Sequence, residues 1–215
     1  MTGLETGRGF DRSADIVIAG FGCAGLAAAI TAWRAGAETL ILEKQSADAH
    51  TPSTRMSGGL VLATNDAGKA AAYFDRCSGG MVPSDVSVAW AERAGGLVDW
   101  LHEISPELNL SRIGGAEHPE FEGAEALDVY QPGGARRRLD PNGKAGPFLW
   151  EKLTATFHAA TQIPVLWNSP ADRLIRNATG RVIGVETADG LRIEARKGVI
   201  LACGGYLHDA RMKRD

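Results

Sequence analysis

Residues 15–44, DIVIAGFGCAGLAAAITAWRAGAETLILEK, decide the fold of this chain, because they read in order as strand, glycine turn, helix and strand. The run Ile16-Val17-Ile18-Ala19 is short, rich in β-branched residues and free of charge, as expected of a parallel strand covered on both faces. Gly20-x-Gly22-x-x-Gly25 follows at once. In such a motif the first glycine allows a tight turn and the second lets a pyrophosphate approach the backbone, while the third lets helix pack on strand. The alanine-rich helix over residues 24–34 contains no proline and stops at Gly36. Its unpaired N-terminal N–H groups and positive dipole end suit an anion. Thr39-Leu40-Ile41-Leu42 is the second strand, and Glu43 stands at its tip, 18 residues after Gly25, where a carboxylate accepts from ribose hydroxyls.

A glycine motif alone is weak, and its alternative is a purely structural turn. Here the preceding strand, following helix, second strand and acidic terminus occur in the order a dinucleotide site requires. Glu43 would repel a 2′-phosphate, which argues against NADP and leaves NAD or FAD.

The 215 residues, 44% hydrophobic and 23% charged, suffice for a sizeable core in one or two globular domains. The net charge of −3 is spread without a basic stripe, so no nucleic-acid partner is expected. Arg136-Arg137-Arg138, the one compact basic run, reads as a solvated face. Cys23, Cys77 and Cys203 lie far apart with no Cys-x-x-Cys, so neither a metal site nor a disulfide framework is expected. Reducing, cytoplasmic conditions fit this usage. Residues 1–14 are polar, lack the apolar core of a signal peptide and are expected to be a disordered tail. No apolar run reaches the length of a membrane span.

Beyond Lys44, a polar loop leads to Ser57-Gly58-Gly59 and an apolar run, a second small-residue turn that either admits a planar cofactor or is an ordinary turn. Residues 66–77 read as a helix capped by Asn65 or Asp66 and stopped at Gly79-Gly80. Ser84 is expected to cap a helix over residues 85–104, weakened by Gly95-Gly96, with Trp90 and Trp100 as packing residues. Residues 105–147 carry only short extended pieces, at 108–110 and 126–130. His102, His118 and His158 read as surface or packing residues. A helix over 148–160 and a short strand over 164–167 follow. Residues 171–176, 181–186 and 191–195 predict three antiparallel strands with turns at Thr179-Gly180 and Asp189-Gly190. This meander feeds a buried parallel strand over 198–206 that ends in Gly204-Gly205.

Four stretches together resemble the FAD-dependent oxidoreductases of the fumarate reductase, succinate dehydrogenase and 3-ketosteroid dehydrogenase type. They are GFGCAG with Glu43-Lys44, STRMSGG, the Asn168-x-Pro170-Ala171-x-x-Leu174-Ile175 strand with GRVIGVETADG, and VILACGGY. The resemblance implies an α/β, Rossmann-like FAD-binding domain of glutathione reductase type, a parallel sheet with an antiparallel β-meander crossover. It implies pyrophosphate contacts at Gly20, Gly22 and Gly25, with Cys23 and Ala24 inside the same turn, and ribose contacts at Glu43, beside Lys44. Thr54, Ser57, Gly58 and Gly59 would run along the flavin, Ala171 would offer backbone groups to the adenine, and Gly204-Gly205 would close on the dinucleotide. Cys203 stands where the family usually has threonine. Pro52 occupies the position of the histidine that carries covalent flavin in respiratory members, so non-covalent FAD is expected.

The function so implied is reduction or desaturation of a carbon–carbon bond by hydride transfer at flavin N5, on a small-molecule alkene or alkane, with an unidentified electron-transfer partner. A non-catalytic nucleotide-binding module and an NAD-dependent dehydrogenase are the alternatives. In the family a cap domain carrying the substrate- and proton-handling groups follows the ACGGY-type strand. The chain ends ten residues after Gly205. Residues 15–215 are therefore expected to be an incomplete FAD-binding domain without its cap, and no catalytic residue is assigned.

Overall fold

The computed structural model describes residues 9–132, 146–206 and 209–214. In chain order come β1 (Arg12–Ala19), α1 (Cys23–Arg34), β2 (Thr39–Leu42), α2 (Ser53–Met56), β3 (Val61–Thr64) and α3 (Ala67–Ser78). Then follow α4 (Ser84–Gly95), α5 (Leu97–Ile104), β4 (Leu110–Gly114), β5 (Leu127–Pro132) and α6 (Gly146–Ala160). Last are β6 (Val165–Leu166), β7 (Ala171–Arg176), β8 (Val182–Thr187) and β9 (Arg192–Leu201). These elements form two compact units, one of Met1–Ser53 with Phe157–Asp215 and one of Thr54–Thr156.

The first unit is built on a six-stranded sheet in the order β6-β2-β1-β9-β8-β7. β1 runs parallel to β2, with Ile16 opposite Thr39, and parallel to β9, with Ile18 opposite Ile200. Val17, Ile18 and Ala19 are at most 1% exposed, so the charge-free run does fill the sheet interior. Ala14, Val17, Leu40, Leu42, Val185, Ile193 and Ala195 form the core around it, backed by Leu166, Leu174, Leu191 and Val199.

Two expectations change here. The strand begins at Arg12, so residues 12–14 belong to the sheet and not to a disordered tail; Asp11 exchanges backbone and side-chain hydrogen bonds with Arg192 just ahead of it. Residues 1–8 of that tail lie outside the described residues, as does Arg136-Arg137-Arg138. Residues 191–195 and 198–206, read as two strands, are joined in the single strand β9, antiparallel to β8 and parallel to β1. Arg196 and Lys197 resemble a polar interruption, but both reach Asp15, at 3.0 and 2.9 Å, and the strand continues through them. A register shift between Ala14 and Ile16 sets Asp15 at that point. The strand ends at Leu201, which is 64% exposed instead of buried.

Lys197 and then Arg196 hold the Asp15 carboxyl down to about 2, against an ordinary 3.8. A carboxylate depressed in the folded chain favours folding fully above about pH 4 and loses that contribution as pH falls through about 2. Melting curves between pH 2 and 5 should therefore drop less steeply for Asp15→Asn than for the unsubstituted chain; equal slopes would remove Asp15 from the acid response.

In the second unit, β3, β5 and β4 form an antiparallel sheet. α3 and α4 pack with it around Ala70, Ala71, Tyr73, Ala91, Ala126 and Leu127. The Asp66 side chain caps α3 by accepting from the Lys69 N–H at 3.1 Å. Ser84 does not cap α4: Pro83 is the N-cap and Ser84 the first helical residue. The single helix read over 85–104 is broken at Gly96 into α4 and α5, as its glycine pair permits. Part of the polar loop before Ser57 coils into the single turn α2. Among the described residues, no helix is long and apolar enough to cross a membrane.

Candidate functional site

The turn between β1 and α1 separates its three glycines by what the fold demands. Gly20 has φ +107°, and a Cβ there would lie 2.3 Å from the Ala202 carbonyl oxygen. A Cβ at Gly25 would lie 2.0 Å from the Gly20 oxygen. Both positions need glycine for the chain to close on itself. Gly22 is different: as the N-cap of α1 it has φ −101° and ψ −166°, extended backbone that any residue adopts. No side chain caps α1, and its first turn, with Cys23 and Ala24 exposed, contains no acidic residue. An N-terminus without a side-chain cap or an acidic first turn suits an anion. A pyrophosphate fits this loop, and Gly22 is the position whose missing side chain the ligand would use.

Glu43, 6% exposed, follows β2. Its Oε2 accepts from the Phe21 N–H at 2.9 Å, inside the glycine loop, and its Oε1 accepts from the Gln45 N–H at 2.9 Å. The carboxylate is thus aimed by backbone donors on both sides, with lone pairs left for hydroxyl donors. Lys44, next to it, is exposed. Ser169 N–H donates to the Glu43 carbonyl at 2.9 Å and Asn168 N–H to the Gln45 carbonyl at 3.1 Å. These bonds bring the start of β7, where Ala171 is exposed, beside the Glu43 corner.

Beyond β9, Ala202 N–H donates to the Ala19 carbonyl at 2.8 Å, and the Cys203 Sγ lies 3.4 Å from the same oxygen. The thiol makes the kind of contact a threonine hydroxyl could make. Gly204 has φ +81°, and neither Gly204 nor Gly205 has an atom within 4 Å of a built Cβ. Gly20, Gly22, Cys23, Ala24, Gly25, Glu43, Cys203 and Gly204-Gly205 therefore gather at the carboxyl ends of β1, β2 and β9, where open α/β sheets bind ligands.

Thr54, Ser57, Gly58 and Gly59 lie in the second unit. Ser57 Oγ donates to the Thr54 carbonyl at 2.8 Å and accepts from the Gly59 N–H at 3.0 Å, a tight self-bonded turn. Among the described residues no three His, Cys, Asp or Glu side chains form a metal cluster.

Sequence reasoning missed Phe21, His50 and Trp167. Phe21, 1% exposed, stacks on His50 at 5.6 Å and 7° and meets Phe157 at 5.1 Å and Trp167 at 5.8 Å. Phe21 occupies a variable place of the glycine motif, and the other rings come from distant loops and α6, so no local pattern announces the cluster.

Glu43→Gln is expected to do more than remove charge. An amide presents one acceptor and one donor, and here both side-chain oxygens face backbone N–H groups, so its NH2 would meet a donor. The cost should be about 1–3 kcal/mol in folding stability and about tenfold in dinucleotide affinity. Thermal melts and a cofactor titration measure the two; unchanged values in both would reduce Glu43 to a solvated strand end.

The chain is 29% identical over 222 residues to the digoxin reductase of Eggerthella lenta, covering 94% of this chain and 37% of that protein. It is 31% identical over 217 residues to the urocanate reductase of the same organism, covering 95% of this chain and 34% of the relative. The chain thus spans little more than a third of the length of these curated relatives. Among solved structures, the 3-ketosteroid-delta4-(5alpha)-dehydrogenase of Rhodococcus jostii superposes with a TM-score of 0.77 at 22% identity, over 96% of this chain and 49% of that one. That likeness shows a shared fold. The model of the family described as "FAD binding domain" matches residues 15–214, and the chain accordingly belongs to that FAD-binding family.

Proposed function

We propose that the chain is the FAD-binding part of a flavin-dependent oxidoreductase that reduces or desaturates a carbon–carbon bond of a small molecule. The observation that carries this reading is the division of labour in the glycine loop. Gly20 and Gly25 are glycines because the backbone closes on them, whereas Gly22 needs none for its conformation and stands at a helix end without a cap. The names of the relatives, a digoxin reductase and a urocanate reductase, point to an unsaturated small-molecule substrate. An electron-transfer partner belongs to the proposal, since a reductase needs a donor.

Bound FAD would supply hydride exchange at its flavin ring. The chain's own residues bind and orient. Gly20, Gly22, Cys23, Ala24 and Gly25 surround the pyrophosphate with backbone N–H groups, and Glu43 accepts from the ribose. Ala171 would lend its backbone to the adenine, and Gly204-Gly205 would close on the dinucleotide. Pro52 stands where the resemblance puts the histidine of covalent flavin attachment, and a proline has no nucleophilic atom for that bond, which supports a non-covalently held cofactor.

The test is purification of the protein followed by acid precipitation. The protein should be yellow, and the flavin should leave with the supernatant. Colour retained on the precipitated polypeptide would overturn the non-covalent assignment, and a colourless protein that takes up no added FAD would overturn the function. Reduced viologen with urocanate, fumarate or a 3-ketosteroid then separates the substrate classes.

A further inference from the structure

We propose that His50 is a positioning residue for the ribose-facing carboxylate of Glu43, and that it makes FAD affinity depend on pH. The inference rests on the FAD reading given above. His50 is 6% exposed, and its ring is set from two sides: it stacks on Phe21 at 5.6 Å with a 7° interplanar angle and meets Trp167 edge-on at 5.0 Å and 68°. Phe21 is itself wedged against Phe157. The imidazole can therefore neither swing out nor turn freely, and its Nε2 stands 3.7 Å from Glu43 Oε2.

That oxygen is the one that also accepts from the Phe21 N–H, so a single atom joins the glycine loop, the imidazole and the carboxylate. An ionised carboxylate has about four lone-pair positions, and backbone donors take two of them here, one on each oxygen. Whatever occupies a third limits what a ribose can use. At 3.7 Å the neutral imidazole is beyond hydrogen-bond reach and acts as a wall that keeps the carboxylate in its rotamer. An imidazolium in the same place is drawn into an ion pair with Oε2 and competes with the ribose hydroxyls for it.

Phe21, Phe157 and Trp167 bring no charge to His50. Among the described residues, His158 on α6 meets Phe21 at 6.4 Å and Phe157 at 5.2 Å and is exposed to solvent. Glu43 is an ionic partner that His50 faces within this cluster.

The experiment is a titration of FAD into the apo form of the full chain between pH 5.5 and 8, for the unsubstituted protein, His50→Phe, Glu43→Gln and the double variant. The unsubstituted chain should bind FAD about five- to tenfold more weakly at pH 5.5 than at pH 8, the scale of a typical coupling between two sites. His50→Phe keeps a ring against Phe21 and Trp167 but cannot titrate, so its affinity should stay level across that range. In the Glu43→Gln background, the exchange at position 50 should change nothing. A pH slope retained by His50→Phe, or an effect of that variant equally large with and without Glu43, would assign His50 to core filling and overturn the proposal. If His50→Phe does not fold, the slope of the unsubstituted chain and its loss in Glu43→Gln decide the matter. FAD uptake with a flat profile overturns this proposal alone, whereas no uptake at any pH overturns the cofactor reading and this proposal with it.

Discussion

Gly22→Val will abolish FAD binding while the chain remains folded. The N-cap position has extended backbone dihedrals, so a β-branched residue is conformationally at home there, and the Leu26 N–H continues to bond the Gly22 carbonyl, now at 2.9 Å. Valine is a poor N-cap, which should cost about 1 kcal/mol, or a few degrees of melting temperature. The two γ-methyl groups would stand at the N-terminus of α1, where the proposed site has the pyrophosphate against the backbone. The expected loss is at least about 100-fold in affinity, or about 2.7 kcal/mol. FAD titration of the apo variant, alongside its melting curve, checks both halves. Retained affinity would take the pyrophosphate away from this loop.

Gly25→Ala, chemically a smaller change, should damage the protein more. The added methyl would lie 2.0 Å from the Gly20 carbonyl oxygen, a backbone atom that cannot rotate away, with the Ala202 Cβ at 3.5 Å behind it. Either α1 lifts from the loop or the β1–α1 turn opens, and either movement disturbs Gly20, which is itself closed against Ala202. Forced overpacking of this kind costs about 3 kcal/mol or more, a fall of about 6–12 °C in a chain of this size. The fall should appear in the absence of any cofactor, which distinguishes it from Gly22→Val. An apo melting temperature equal to that of the unsubstituted chain would show that the contact between Gly25 and Gly20 does not hold the turn.

The contrast between these substitutions marks how far the sequence could be read. The spacing Gly20-x-Gly22-x-x-Gly25 predicted a tight turn and the helix that follows it, yet all three glycines look alike in one dimension. Their roles separate only when the Ala202 carbonyl arrives beside Gly20, and Ala202 is 182 residues away in the chain. Glu43 was legible from its place after Thr39-Leu40-Ile41-Leu42. The two backbone donors that aim it were not, because one of them, the Phe21 N–H, comes from the preceding turn.

What the sequence determined by itself is what local periodicity and turn chemistry encode. The charge-free β-branched run of β1, the capped amphipathic helix α3 and the Thr179-Gly180 and Asp189-Gly190 turns each state their own conformation within a few residues. The tertiary structure decided the rest. It joined residues 191–195 and 198–201 into one strand, because Asp15 meets the charges of Arg196 and Lys197 that would otherwise read as a break. It drew residues 12–14 into the sheet, because an edge opened along β9 for them to pair with. It placed His50 against Phe21, Trp167 and Glu43, residues with no shared local pattern. Periodicity reports which face of an element is buried, but which strand edge, charge or ring meets it is settled by chain crossings between residues far apart in sequence.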